Sequence, residues 1–122
     1  MPHIVIEHSP RLDASHDLQA LCDALWDTFA THPNITAPDT VRVRTIASTA
    51  SRIGVEPQSF AHATLLLLPG RDEETRRGLA ELILNTLDEF LPDVGSLTVR
   101  VDHLEQPYIK RMLAPVEDVA HG

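Results

Sequence analysis

Apolar positions along the chain switch repeatedly between a two-residue and a near-four-residue period. Ile4, Val5 and Ile6 open a β-rich segment over residues 3–7, which gives way to the turn signal Ser9-Pro10. Leu18, Leu21, Cys22, Leu25 and Phe29 then fall on one stripe of an amphipathic helix that His32-Pro33-Asn34 closes. Asp13 and Ser15 are candidate N-caps for this helix, and Asp17 suits its positive end. Val41, Val43 and Thr45 alternate with Arg42 and Arg44, the period of a strand. A polar stretch with Ser48, Ser51, Gly54 and Pro57 follows, and a short hairpin is expected around Ile53–Val55.

The same order then recurs. Residues 60–68 read as a strand broken by Pro69-Gly70. Leu79, Leu82, Ile83, Leu87, Phe90 and Leu91 form a second helical stripe, with Asp72 as its N-cap and Glu73 and Glu74 in its first turn. Pro92 and Gly95 stop it, and Leu97, Val99 and Val101 alternate with Thr98, Arg100 and Asp102 in a last strand. Two β-α-β units result, about 2–56 and 59–104, with a C-terminal tail over 105–122. Each crossover implies parallel pairing within its unit. The predicted fold is α/β in the α+β sense: one domain over residues 1–122, with a four-stranded sheet and two helices on one face. The third strand reads as apolar on both sides, with Phe60, Thr64, Leu66 and Leu68 on one and Ala61, Ala63, Leu65 and Leu67 on the other. Two helices cover one face, so the other is expected to be covered by self-association.

Composition narrows the function classes. Across 122 residues, 43% apolar and 23% charged content is ordinary for one globular domain. A net charge of −8 argues against a sequence-independent grip on nucleic-acid phosphates and against an acidic membrane surface. Nine of the ten basic side chains are Arg, whose planar fork matches a carboxylate, although high-GC coding bias produces the same excess. Cys22 is the single cysteine, which excludes an intrachain disulfide framework and a thiol metal cluster, and its place on the apolar stripe fits an inert residue. The start of the chain lacks a basic segment followed by an apolar run, so a cytoplasmic protein is expected. The seven histidines show no ligand spacing, so no metal site is expected, and His62 reads as a satisfied core or interface residue. Phosphate-binding, nucleophile-elbow, zincin and paired-cysteine motifs are absent.

Three features carry chemistry. Pro2 follows the initiator Met, and removal of Met1 leaves a free secondary amine, both base and nucleophile; the plainer reading is a proline that merely starts a strand. Arg42 and Arg44 leave the same side of a strand about 7 Å apart, a spacing suited to a substrate with carboxylates or to an ordinary solvated face. Arg71 stands between Pro69-Gly70 and the helix start at Asp72, where a cation joins exposed N–H groups; otherwise it is a loop arginine pairing with Glu74.

Residues 1–7 (MPHIVIE), the VRVR at 41–44, the FAHATL at 60–65 and the GR at 70–71 before an acidic helix start form an ordered set. Together they resemble the 5-carboxymethyl-2-hydroxymuconate isomerase family, in the tautomerase-superfamily branch with long, internally duplicated subunits. The resemblance spans roughly residues 2–104; residues 46–59 follow it loosely and the tail from Gln106 poorly. It implies a homotrimer of tautomerase-like subunits and a cofactor-independent keto-enol isomerase of aromatic-compound catabolism. The implied substrate is an unsaturated 2-hydroxymuconate-type carboxylic acid. Catalysis would fall to Pro2 and Arg71, and substrate binding to Arg42 or Arg44. The nearest alternative is another activity of the superfamily, phenylpyruvate tautomerisation or dehalogenation. A non-catalytic ligand-binding module, or an interaction protein that binds another chain through the Leu-rich face, are the readings from other classes.

Overall fold

The computed structural model describes residues 2–114. Alternation decides the strands: Ile4, Ile6 and His8 are buried while His3, Val5 and Glu7 face the other way, giving β1 (His3–His8). Ser9 and Pro10 end it, and a single helical turn, α1 (Leu12–Ser15), precedes α2 (Leu18–Ala30). The residues expected to cap α2 do not. Asp13 and Ser15 lie within α1, and the Ser15 hydroxyl bonds back to the Leu12 carbonyl at 3.2 Å. Asp17 is the cap, accepting from the Ala20 amide at 3.0 Å.

A 3₁₀ turn (Pro38–Thr40) leads into β2 (Arg42–Ala47). The expected hairpin around Ile53–Val55 is absent. The Gln58 side chain takes over the backbone groups that would have paired, accepting from the Ile53 amide at 3.0 Å and donating to the Ile53 carbonyl at 2.9 Å. Next come β3 (Phe60–Leu67), α3 (Glu73–Phe90) and β4 (Ser96–His103). Asp72 caps α3 as expected, through the Thr75 amide at 2.8 Å.

Strand order in the sheet is β2-β1-β3-β4, with β1·β2 and β3·β4 parallel and the central pair β1·β3 antiparallel. Leu21, Leu25 and Phe29 of α2 join Leu79, Ile83 and Leu87 of α3 in one core over Ile4, Ile6, Ala63 and Leu65. Each of the Leu, Ile and Phe side chains is worth about 1.5–3 kcal/mol on burial. Cys22 sits at the edge of this layer, half-buried, and burial followed by the Asp23 carboxylate pushes its thiol pKa up.

The other face is not the apolar surface that β3 alone implied. Register sets Arg42, His3, Leu66 and Asp102 in one cross-strand row, and Arg44, Val5, Thr64 and Arg100 in the next. Phe60 and Leu66 are half-buried there among polar and charged neighbours. His62 faces this side and bonds to Thr98 Oγ1 at 2.6 Å.

Candidate active site

One end of the sheet gathers the residues singled out by sequence. β1 starts where β2 starts and where β3 and β4 finish. The Arg42 amide donates to the Pro2 carbonyl at 3.0 Å, and the Leu104 amide to the Leu67 carbonyl at 2.8 Å. Pro2 therefore lies beside the first residue of β2 and beyond the last pair of β1·β3. Its ring is buried, on the same side of the strand as Ile4 and Ile6. Met1 and residues 115–122 lie outside the described residues.

β3 leaves this end through Pro69 and Gly70. Gly70 has a φ of 125°, a backbone conformation that a side chain disfavours, and it turns the chain into α3. Arg71 follows, and its Nη2 donates to the Asn34 carbonyl at 3.2 Å rather than pairing with Glu74. A depression of about 500 Å³ opens between Thr36, Gly70, Arg71 and Thr75.

Arg42 and Arg44 project from the open face of the sheet, in successive rows. Arg42 is half-buried; its Nη1 donates to the Thr40 carbonyl at 2.9 Å and its Nη2 to Met112 Sδ at 3.3 Å. Arg44 is exposed and donates to His3 Nδ1 at 3.2 Å. His3 Nε2 meets Tyr108 Oη at 2.9 Å, with the two rings edge-to-face and 5.9 Å apart. Tyr108 and Met112 thus bring the tail back over the residues that flank Pro2. The site divides: Arg42, Arg44 and His3 share the open face, whereas Arg71 reaches toward the loop after α2.

Positive charge dominates locally. Burial first, then the Arg44 and Arg42 guanidinium groups, hold the His3 pKa below its ordinary 6.5. Protonating His3 therefore opposes folding: its contribution is complete above pH 6.5 and is lost as the pH falls through the lower folded value. Among the described residues, Arg44 and Arg71 bond to neutral partners only, so their charge is available to an anion. Arg100 on the same face is already matched, 2.6 Å from Asp102.

Sequence reasoning missed His3 and Tyr108. The first carried a signal, since alternation puts it level with Arg42; the second is 105 residues away from its partner, beyond any local pattern. No helix among the described residues is long and apolar enough to cross a membrane.

Comparison with known proteins gives this arrangement a class. A 5-carboxymethyl-2-hydroxymuconate delta-isomerase of known structure superposes with a TM-score of 0.76 at 24% identity, covering 92% of this chain and 88% of its own. A 5-carboxymethyl-2-hydroxymuconate isomerase from Deinococcus radiodurans R1 gives 0.76 at 19% identity, over 90% and 88%. A fused 4-OT symmetric trimer gives 0.66 at 17%, over 84% and 85%. No curated protein sequence matches the chain significantly. The fold is that of the tautomerase-like isomerases. Residues 2–101 match the family model described as 5-carboxymethyl-2-hydroxymuconate isomerase, and the chain belongs to that family.

Proposed function

We propose that this protein catalyses keto-enol isomerisation of an unsaturated 2-hydroxymuconate-type acid, with the amine of Pro2 as acid and base. The observation that carries the reading is the meeting of Pro2, the start of β2 with Arg42, and the turn before Arg71 at one sheet end. Removal of Met1 frees the Pro2 nitrogen. That amine takes the proton of the substrate's 2-hydroxyl and returns one to carbon, converting the dienol into the conjugated ketone. One proton leaves oxygen and one arrives at carbon, so no electron carrier or cofactor enters the balance.

Arg42 holds a substrate carboxylate by charge-assisted hydrogen bonds, and Arg71 stabilises negative charge as it builds on oxygen. Arg44 lies on the same face one row further from Pro2, bonded to His3. A base must be unprotonated at working pH, and a proline amine in water is largely protonated. The guanidinium groups that depress His3 disfavour a cation at its neighbour Pro2 in the same way, and burial of the ring adds to this. A homotrimer fits the open, mixed sheet face and the trimeric neighbour; the single-domain reading with a duplicated β-α-β unit fits the two parallel strand pairs.

Ultraviolet absorbance on mixing purified protein with 5-carboxymethyl-2-hydroxymuconate tests the reading. Rapid conversion to the conjugated ketone, by a species of three times the 13.5 kDa chain mass in light scattering, is expected. A folded protein that leaves the dienol at its uncatalysed rate contradicts the enzyme reading, and a stable monomer contradicts the assembly.

A further inference from the structure

The bond directions in the cluster around His3 are fixed by chemistry. A guanidinium only donates, so His3 Nδ1, which receives Arg44 Nη1 at 3.2 Å, is an acceptor. The same field that lowers the His3 pKa keeps the ring neutral, and its one proton is therefore on Nε2. Nε2–H donates to Tyr108 Oη at 2.9 Å. Tyr108 accepts there, and among the described residues its own O–H proton has no other partner. That proton is free to turn to a ligand on the open face, beside the row that carries Arg42.

We propose that Tyr108 is a substrate-contacting specificity residue: its hydroxyl, oriented by the Arg44–His3–Tyr108 chain, donates to a second carboxylate of the substrate. The assignment rests on the isomerase reading above and deepens it. Successive bonds in such a chain polarise one another, so the Arg44 charge makes the tyrosine proton a better donor without contacting the ligand itself. Arg42 and Tyr108 then flank His3 as two grips on one acid, a cation and a neutral donor. A mono-acid fills only the first. Arg44 and His3 act through Tyr108 and are positioning residues in this scheme.

Two unreactive probes separate the grips: trans,trans-muconate, with a carboxylate at each end, and sorbate, in which a methyl replaces one of them. Calorimetric titration of the wild type is expected to show tighter binding of muconate. Tyr108→Phe keeps the ring contact with His3 and removes the hydroxyl. It should weaken muconate about 10- to 100-fold, the range for a hydrogen bond to a charged group, and leave sorbate unchanged. Equal muconate affinity in the two proteins, or no muconate binding by the wild type, overturns the proposal. Imidazole nitrogen NMR shifts give a check independent of ligand: His3 is expected as the neutral Nε2–H tautomer, and an Nδ1–H tautomer would reverse the chain and overturn it. Binding and turnover fail separately. Muconate discrimination without dienol turnover leaves Tyr108 standing and removes the catalytic reading; turnover with an unchanged Tyr108→Phe does the opposite.

Discussion

The two ends of the sheet share a strand geometry and differ in what finishes it. At the end where β1 starts, Pro2, Arg42 and Arg71 meet, and the described tail folds back through Tyr108 and Met112. At the opposite end β1 runs out into Ser9, and β3 starts after Ser59. There the hydroxyls close the backbone: Ser9 Oγ accepts from the Phe60 amide at 3.1 Å, and Ser59 Oγ from the Gly95 amide at 2.9 Å. A depression of about 400 Å³ at that end contains Arg11, but also His16 held 2.7 Å from Asp93. Two strands begin at each end, yet hydroxyl-to-backbone bonds and an acid-matched histidine make the second end a structural joint. At the first end Arg44 and Arg71 bond to neutral partners only, among the described residues, which suits an anion. Strand topology supplies the place in both cases; side-chain charge balance is what separates them, and the proposed chemistry falls at the first.

Exchanging arginine for alanine at one end at a time should separate the two ends most strongly. Arg71→Ala is expected to lower kcat by about 10²–10³-fold, the usual loss for one donor that stabilises developing charge. Arg11→Ala, in the corresponding turn of the other end, should leave kcat and KM unchanged. Steady-state kinetics of both variants, with circular dichroism to confirm folding, decide the matter. Equal losses from the two substitutions mean that neither end is special.

A smaller effect is expected at the serine-closed end. A Cβ on Gly95 would overlap the Pro57 carbonyl oxygen, and that oxygen belongs to backbone which cannot swing away as a side chain would. Gly95→Ala should therefore destabilise folding by about 1–3 kcal/mol, in the range of overpacked sites. It should do so with near-normal kcat/KM in the folded fraction. Urea melts check the first part and kinetics the second. A large kinetic defect with unchanged stability would place catalytic function at the serine-closed end.

Much of this was legible in the chain. Alternation and helical stripes are local, so β1–β4, α2 and α3 could be placed from spacing alone, and the Asp72 cap stood alone before its helix. The α2 cap was harder because Asp13, Ser15 and Asp17 compete within five residues, and α1 absorbs the first two. Ile53 and Val55 looked like strand because both are β-branched, but one glutamine side chain satisfies the same backbone groups within a loop. The open face was misjudged for a different reason. Its polarity comes from residues on neighbouring strands, brought level only by register. Arg42 and Arg44 could be placed on one face, but the partners that distinguish them, Met112 and His3, come from distant parts of the chain.

Two forms of one protein test whether the nitrogen of Pro2 is the acid and base. Mass spectrometry identifies one preparation with a free amino-terminal proline and another in which Met1 is retained. Their kcat/KM values on the same dienol, measured at equal oligomeric state and stability, give the result. The free-proline form should rise in activity with pH through a limb below neutrality, which reports loss of the amine proton. The Met1-bearing form, whose proline nitrogen is an amide with no basic lone pair, should lose about 10²–10⁴-fold, the range for removing a general base. A Met1-bearing protein that isomerises the dienol at the full rate would contradict the mechanism and leave Pro2 as no more than the residue that leads into β1.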